Sequence, residues 1–196
     1  LRTSFGTDIS TPRARRWTTF HYHFFDQAFL REIWTNFAQI APEVYRSNQL
    51  TWRRFKRYKA MGIKTVLNLR GANAFSQYLF EREYCDKLGL GLVDHAFHAR
   101  RAPEPAQILE VLKTLRTLQK PFLLHCKSGA DRAGFISAIY LLVIEGQPID
   151  QARQQLSWRY SHLDFTKTGI LDYILNVFEA RQNMSQMGFE DWLHSE

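Results

Sequence analysis

The stretch FLLHCKSGADRAG, residues 122–134, joins an apolar run to a His-Cys pair, a loop of small and charged residues, and a second apolar run. PFLLHC (121–126) has the length and apolar content of a buried strand, and the apolar segment 133–144 predicts a buried helix that stops at Gly146. A strand, a loop and a helix therefore follow one another. In an open α/β sheet, ligands bind at such junctions, where the strands end.

The loop of this junction has the composition of an anion site. Backbone N–H groups in a loop of small residues form an anion-binding concavity, and the following helix N-terminus adds positive potential. A thiolate is stabilised in the same way, so we expect the pKa of Cys126 to lie below the value of about 8.5 for a free thiol. Arg132, six positions later, has a guanidinium that binds two oxygens at once, which a lysine ammonium does not do.

The rest of the chain predicts an α/β fold. Strands and helices alternate, which is typical of a mostly parallel sheet with helices on both faces, here with four to five strands in one domain. The predicted strands cover 43–50, 63–69, 90–98 and 121–126. The predicted helices cover 24–38, 51–62, 74–88, 104–118, 133–144, 148–158 and 169–181.

HCKSGADRAG, with its Cys-x5-Arg spacing, resembles the signature loop of cysteine-based protein tyrosine phosphatases, in particular the dual-specificity and lipid-phosphatase branches. EVYRSNQL (43–50) and TVLNLRG (65–71) extend the resemblance to small bacterial dual-specificity-like phosphatases, over residues 40–180. The alternative interpretation is a buried structural cysteine beside a loop of no function.

The resemblance implies a phosphomonoester hydrolase that needs no metal and no other cofactor. Cys126 would attack phosphorus and form a phosphocysteine, and water would then release phosphate. Arg132 and the loop amides would hold the phosphate oxygens, and His125 would orient the loop and lower the pKa of the thiol. The implied phosphate-binding residues are Lys127, Ser128, Gly129, Ala130, Asp131 and Arg132.

The general acid is where the sequence departs from these relatives, which usually carry an Asp on a separate loop. Here that loop reads HARRAPEP (98–105) and has no Asp. Asp131 is the first candidate, because an Asp-Arg pair resembles the loops of myotubularin- and Sac-type phosphoinositide phosphatases. Asp94, 32 residues before the cysteine, is the second candidate but is predicted in mid-strand. His98 is the third.

Further cations border the predicted site. Arg100 and Arg101 on the HARRAPEP loop, and Lys127 in the signature loop, suit a second phosphate or an acidic substrate, although solvated surface charge explains the two arginines equally well. Cys85 is expected in the core of the helix 74–88. A protective disulfide between Cys85 and Cys126 is the alternative.

Composition indicates one folded unit with a distinct N-terminal part. The chain has 196 residues, 45% hydrophobic residues and two cysteines, which favour a reduced, cytoplasmic thiol protein. We expect a basic aromatic arm and helix over 1–40, flexible to about residue 16, and the phosphatase domain over 41–196. The longest apolar run, 135–144, is too short to span a bilayer. An upstream signal or anchor before Leu1 would not be visible.

The excess positive charge lies in the N-terminal third. Residues 1–60 hold eleven Lys/Arg against four Asp/Glu, whereas residues 61–196 are balanced. The segment RARRWTTFHYHFF (13–25) mixes arginines with aromatics as interfacial segments do, which favours an anionic membrane surface or a polyanionic substrate. Nucleic acid is not an expected partner, because the chain has no nucleic-acid-binding signature.

The expected substrates are phosphorylated protein, on Tyr or on Ser/Thr, or a phosphorylated lipid or inositol. The extended resemblance favours protein, and the loop lysine with the basic N-terminal third favours a lipid or another polyanion. Two other classes of function remain: a pseudophosphatase that binds phosphorylated partners without turnover, and a membrane-bound scaffold that uses the basic arm.

Overall fold

The computed structural model describes residues 5–195. Its centre is one five-stranded sheet in the order β1-β2-β5-β3-β4, in which only the edge strand β1 is antiparallel to its neighbour. The predicted single-domain, mostly parallel α/β fold is confirmed. The strands are β1 Ala38–Ala41, β2 Val44–Asn48, β3 Thr65–Asn68, β4 Gly91–Asp94 and β5 Phe122–Cys126.

Helices cover both faces of this sheet, as the alternation of elements predicts. The α-helices are α1 Pro12–Phe24, α2 Leu30–Ile33, α3 Trp52–Ala60, α4 Ser76–Leu88, α5 Pro105–Thr117, α6 Asp131–Ile139, α7 Ile149–Ala152, α8 Ile170–Ser185 and α9 Phe189–Ser195. Helix α6 continues as a π-helical turn, Tyr140–Ile144.

The central strand β5 explains the two-layer core. All five of its residues are buried, and successive side chains point to opposite faces. Phe122 and Leu124 pack with α5, α6, α8 and α9, while Leu123 packs with α3 and α4. This strand therefore delivers Cys126 to the carboxyl edge of the sheet with covered layers on both sides.

The predicted helix over 24–38 is wrong. Thr11 caps α1, since its Oγ1 accepts a hydrogen bond from the N–H of Ala14 at 3.2 Å, and Pro12 suits the first helical turn. The helix ends at Phe24, and Gln27 (φ 61°) and Asn36 (φ 47°) have left-handed backbone conformations that no continuous helix contains. The predicted flexible arm is also interrupted by α1, and its residues 1–4 lie outside the described residues.

Strand β4 stops at Asp94, so the predicted strand 90–98 is four residues too long at its end. The chain beyond Asp94 stays close to the end of β3, where the N–H of His95 donates to the carbonyl of Asn68 at 2.9 Å, but only one isolated bridge, between Arg70 and Ala96, follows. The segment after Asp94 therefore has the sequence pattern of a strand, although it lacks the continuous hydrogen-bond pairing of one. Asp94 is therefore the last residue of its strand.

Other differences are smaller. The edge strand β1 and the C-terminal helix α9 were not predicted, and the helix predicted over 148–158 is only α7 followed by a short 3₁₀ segment, Arg153–Gln155. Strand β1 has only four residues, of which only Ala41 is buried, so its sequence carries little hydrophobic pattern. Within residues 5–195, no helix combines the length and the apolar content needed to cross a membrane.

Candidate active site

The loop between β5 and α6 forms a cradle with Cys126 at its base. Its carbonyl groups all accept hydrogen bonds from outside the loop: Lys127 from the N–H of Gln49 at 3.3 Å, Ser128 from Asn36 Nδ2 at 2.9 Å, and both Gly129 and Ala130 from Arg46 Nη2. Carbonyl and N–H groups of a peptide point in opposite directions. The N–H groups of the same peptides therefore point to the inside of the cradle, as an anion site requires, and that of Ala130 donates there to Ser128 Oγ at 3.3 Å.

Gly129 permits this loop for two reasons. Its φ of +75° lies in the left-handed region, and a Cβ at this position would lie 2.7 Å from the backbone N of Asn48. The close approach of the loop to β2 therefore requires a residue without a side chain.

Arg46 is the central support of the loop, and no pattern in the sequence predicts this role. Its side chain is fully buried, it also donates from Nη1 to the carbonyl of Gln155 at 2.7 Å, and its guanidinium lies 3.8 Å from the centre of the Tyr160 ring. Burial lowers the pKa of Arg46 to about 10, while the charges of Tyr160 and Cys126 oppose that shift. A buried cation thus lies behind the loop and interacts electrostatically with the cysteine.

His125 supports the loop from β5. Its Nε2 lies 2.6 Å from Glu81 Oε1, both side chains are buried, and its Nδ1 lies 3.3 Å from the carbonyl oxygen of Cys126. The other oxygen of Glu81, Oε2, accepts a hydrogen bond from the side chain of Gln49 at 3.1 Å. The backbone N–H of Gln49 in turn donates to the carbonyl of Lys127. Helix α4 is therefore connected to both ends of the Cys126–Lys127 segment through one buried polar chain.

The guanidinium of Arg132 is oriented by the hydrogen bonds of one nitrogen, Nη1. Its Nη1 donates to the carbonyls of Leu69 at 3.4 Å and Phe97 at 3.3 Å, whereas its buried Nε has no partner among the described residues. An arginine held in this way presents its Nε–Nη2 edge for a bidentate contact with a phosphate. The bidentate phosphate contact of Arg132 stays a prediction.

A pocket of about 490 Å³ opens above the loop. Of the predicted site residues, the structure brings Lys127, Ser128, Asp131, Arg132, His98, Arg100 and Arg101 to its lining. The lining does not include Cys126, which is buried at the start of the loop, nor His125, Gly129, Ala130 and Asp94. The N-terminal segment supplies another wall, which the sequence analysis missed: Asp26, Gln27, Leu30, Arg31 and Trp34.

Both carboxylates that line the pocket are paired. Asp26 contacts Arg31 at 2.7 Å and Arg70 at 2.9 Å; burial would raise the pKa of Asp26, but hydrogen bonds and charges from these arginines bring it below its usual value. Asp131 Oδ1 lies 2.8 Å from Nδ1 of the buried His162. The aromatic and basic composition of residues 13–34 indicated a functional surface there. The ion pair between Asp26 and Arg70 could not be predicted from the sequence.

His162 links Asp131 to a second carboxylate, because its Nε2 lies 2.6 Å from Asp172 Oδ2. Burial opposes the charged form, but hydrogen bonds to Asp131 and Asp172 more than compensate and raise the pKa of His162 to about 9. At neutral pH the imidazole is therefore a cation that donates to a carboxylate on each side.

We expect the His162 cation to make stability depend on pH. Its contribution is fully present below its unfolded pKa of about 6.5 and is lost as pH rises through about 9. Urea unfolding should show His162→Gln less stable than wild type by on the order of 2–3 kcal/mol at pH 6, with a smaller difference above pH 9.

His23→Gln is the matched control for this measurement, because His23 is exposed and has no carboxylate partner in residues 5–195. A His162 difference that stays constant from pH 6 to above pH 9 would contradict the assigned cation.

Both carboxylate oxygens of Asp94 accept hydrogen bonds from neighbouring side chains. Its Oδ1 accepts from Asn68 Nδ2 and its Oδ2 from the hydroxyl of Tyr78, each at 2.7 Å. Burial, followed by this hydrogen bond, raises the pKa of Tyr78 to about 12. The carboxylate thus fastens α4 to the ends of β3 and β4.

The remaining predicted residues have simple positions. His98, Arg100 and Arg101 are exposed on the loop after β4 and have no hydrogen-bond or ion-pair partner in the described part of the chain. Cys85 lies buried in the layer under α3 and α4, where burial and nearby carboxylates raise the pKa of its thiol. Both cysteines are free thiols. Among residues 5–195, no group of three His, Cys, Asp or Glu side chains is placed to hold a metal ion.

A strand that ends at Cys126, a loop of small residues and a helix that begins at Asp131 follow one another at the carboxyl edge of the sheet. Residues 43–168 match the family model described as "PTP-SAK: Swiss Army Knife protein, DSP-PTPase phosphatase domain", and the chain belongs to this family.

Relatives agree with this assignment. Dual specificity protein phosphatase TpbA of Pseudomonas aeruginosa (strain UCBPP-PA14) is 25% identical over 123 residues, which cover 62% of this chain and 53% of TpbA. The match thus spans about half of the length of that relative.

Two solved structures share the fold. The crystal structure of P. aeruginosa TpbA has a TM-score of 0.59 at 22% identity, covering 74% of this chain and 91% of that one. The core catalytic domain of the PP-IP phosphatase SIW14 from S. cerevisiae has a TM-score of 0.56 at 17% identity, covering 79% and 96%.

Proposed function

We propose that this chain hydrolyses phosphomonoesters through a phosphocysteine intermediate. The observation that carries the proposal is the conformation of the loop that follows Cys126. The carbonyls of residues 127–130 accept hydrogen bonds from residues outside the loop, which turns the N–H groups of the same peptides inward. Arg132, at the far end of the loop, has a buried Nε with no hydrogen-bond partner among residues 5–195. A phosphate in this cradle would meet inward N–H groups, a guanidinium edge and a thiolate together.

In the first step, the Cys126 sulfur forms a bond to phosphorus while the bond from phosphorus to the leaving oxygen breaks. That oxygen takes a proton from a general acid. In the second step, a water oxygen attacks the phosphorus and gives a proton back to the same group, which now acts as a base. The sulfur–phosphorus bond breaks, the thiolate is restored and inorganic phosphate is released. Arg132 and the loop amides bind the equatorial oxygens in both steps, where transition-state charge lies.

We propose that residues 41–196 contain the reactive groups and that the segment 1–40 completes the pocket. Two observations support this division: the family match begins at residue 43, and residues 26, 27, 30, 31 and 34 line the pocket.

The proposed substrate is a phosphorylated protein, on Tyr or on Ser/Thr, or a phosphorylated lipid or inositol. TpbA, whose name is that of a dual specificity protein phosphatase and which has a solved complex with phosphotyrosine, supports the first class. The positive charge of the pocket lining supports the second class, a polyanionic lipid or inositol phosphate. Its carboxylates, Asp26 and Asp131, are already paired. In the part of the chain that the structure describes, Lys127, Arg100 and Arg101 line the pocket beside Arg132 without an ion-pair partner.

Lys127 has the environment of a phosphate-binding lysine. Burial lowers its pKa; the charge of Asp26 opposes this shift, and the nearby cations Arg70, Arg31 and Arg132 add to it. A phosphate dianion would relieve this repulsion, so Lys127 is proposed to contact substrate. The basic N-terminal third is likewise proposed to meet an anionic partner, either an acidic substrate surface or the surface of an anionic membrane.

We propose Asp131 as the general acid, acting as a unit with His162. Asp131 lines the pocket, and the proton on His162 Nδ1 lies in a hydrogen bond to its carboxylate. The proton that reaches the leaving oxygen is proposed to come from the His162 imidazolium through this hydrogen bond to Asp131. His98 also lines the pocket and is the second candidate. Asp94 is the third, because its two carboxylate oxygens already accept hydrogen bonds from Asn68 and Tyr78.

Leaving-group dependence tests this assignment. Asp131→Asn should reduce kcat by roughly 10²-fold or more with alkyl phosphates, whose leaving oxygen needs a proton, and much less with a nitrophenyl ester. The same variant should lose the basic limb of the kcat profile. Asp94→Asn is the control and should show no leaving-group dependence, although its loss of stability is expected. The same dependence in His98→Gln, with none in Asp131→Asn, would transfer the role to His98.

Phosphate release from a panel of phosphopeptides, inositol phosphates and phospholipids tests the function as a whole. Turnover of at least one class is expected, and the class that is turned over decides between protein and polyanion substrates. The alternative function, a pseudophosphatase, is favoured by the missing Asp on the 98–105 loop. Binding of phosphorylated ligands without any turnover across the panel would establish it and overturn the proposal.

A further inference from the structure

The segment from Trp17 to Trp34 exposes an unusual amount of apolar surface. Eight large side chains are each at least 43% exposed, and Ile33 reaches 86%. A folded protein rarely presents so many at one place unless the surface has a partner. We call these eight residues the apolar N-terminal surface: Trp17, Phe20, Phe24, Phe25, Phe29, Leu30, Ile33 and Trp34.

This surface is continuous and reaches the pocket. Ring contacts lead from Trp17 to Phe20 (6.4 Å between centroids), from Phe20 to Phe24 (4.6 Å), and from Phe24 to Phe29 (6.4 Å). Leu30 and Trp34 line the pocket. The exposed aromatics and the mouth of the pocket therefore belong to the same side of the molecule.

Folding does not require the apolar side chains on this side. Helix α1 already has an inner face, where the buried Tyr22 packs on Phe80, and Arg15 forms a bidentate ion pair with Glu83 at 2.7 and 2.9 Å. These contacts fasten α1 to α4. Polar residues at the outer positions would leave them unchanged, so the apolar outer positions need another explanation.

Charge identifies the partner. Exposed Arg13 and Arg16 border the same shallow groove as Trp17 and Phe20, and neither arginine has an ion-pair partner in residues 5–195. Unpaired arginines beside exposed aromatics match the boundary of an anionic bilayer, where rings enter the acyl region and guanidinium groups meet lipid phosphates.

We propose that the apolar N-terminal surface docks this protein on an anionic lipid bilayer and turns the pocket mouth toward the headgroups. Phe24, Phe25 and Ile33 enter the interface, and Arg13 and Arg16 bind the headgroup phosphates. This proposal does not depend on turnover in the pocket, so it stands or fails separately from the phosphatase activity.

Vesicle sedimentation tests it. The chain should bind vesicles of phosphatidylcholine mixed with phosphatidylserine, bind vesicles of phosphatidylcholine alone more weakly, and be released by salt. The triple variant Phe24→Ser, Phe25→Ser, Ile33→Ser should bind the mixed vesicles at least about tenfold more weakly. Arg13→Glu with Arg16→Glu should remove the preference for phosphatidylserine.

The control is Tyr173→Ser with Met184→Ser, which removes exposed apolar side chains from α8, outside the proposed surface, and should not alter binding. Thermal unfolding should show that every variant is folded. Equal binding of wild type and triple variant would overturn the proposal. So would a dimer in size-exclusion chromatography that the triple variant abolishes while vesicles are not bound, because the surface would then join two copies of the chain.

Discussion

Cys126→Ser is expected to reduce turnover by roughly 10³-fold or more, because a serine hydroxyl at neutral pH is a far weaker nucleophile than a thiolate. Binding of a phosphate mimic should persist. The cradle consists of backbone N–H groups held by Arg46, Asn36 and Gln49, and the substitution touches none of these donors. Phosphate release measures the first effect, and tungstate titration by calorimetry measures the second.

Cys85→Ala is the matched control, since Cys85 is the other cysteine of the chain and lies in the layer under α3 and α4. It should keep full activity even if its unfolding temperature falls. A sulfur–phosphorus adduct trapped by rapid acid quench should appear in wild type and in Cys85→Ala but not in Cys126→Ser. Full activity of the serine variant would refute the nucleophile assignment and with it the proposed function.

Arg132→Lys is the second large effect, with an expected loss in kcat of about 10²-fold or more. The Nε–Nη2 edge of Arg132 is positioned because Nη1 donates to the carbonyls of Leu69 and Phe97. A lysine has one nitrogen and therefore cannot retain these contacts and also bind two phosphate oxygens. Since the contact strengthens as charge develops on the oxygens, kcat should fall more than KM rises.

Arg82→Lys is the control for a general effect of arginine loss, because Arg82 is exposed on α4 and does not line the pocket. Steady-state kinetics on one soluble phosphomonoester and circular dichroism of both variants complete the measurement. A change confined to KM in Arg132→Lys would mean that Arg132 binds the ground state only.

The strand–loop–helix unit was predicted well because its signals are local. The buried strand, the loop with Gly129 and the apolar helix are adjacent in sequence, and parallel strands that are buried on both faces have a continuous apolar pattern. The same local pattern failed after Asp94, where an extended segment without continuous pairing was predicted as strand. It also failed over 24–38, where Gln27 and Asn36 interrupt the helix with left-handed backbone conformations.

The neighbours of the site could not be predicted, because their partners are distant in sequence. Arg46 binds Gln155, 109 positions away, and Asn36 binds the carbonyl of Tyr160, 124 positions away. The pairing of Asp131 with His162 has the same origin. No periodicity or spacing connects such residues. Only the packing of α1–α2 and of the segment after α7 against the sheet brings them together.

The sequence by itself determined the α/β class, the place of Cys126 at the end of a central strand, and an arginine six positions later at the start of a helix. These features follow from short-range backbone preferences and from burial of adjacent apolar residues. The tertiary structure decided which carboxylates are paired, which cations remain free, and that residues 26–34 form a wall of the pocket. These outcomes depend on distances between charges and hydrogen-bonding groups from separate elements, and such distances exist only once the chain is folded.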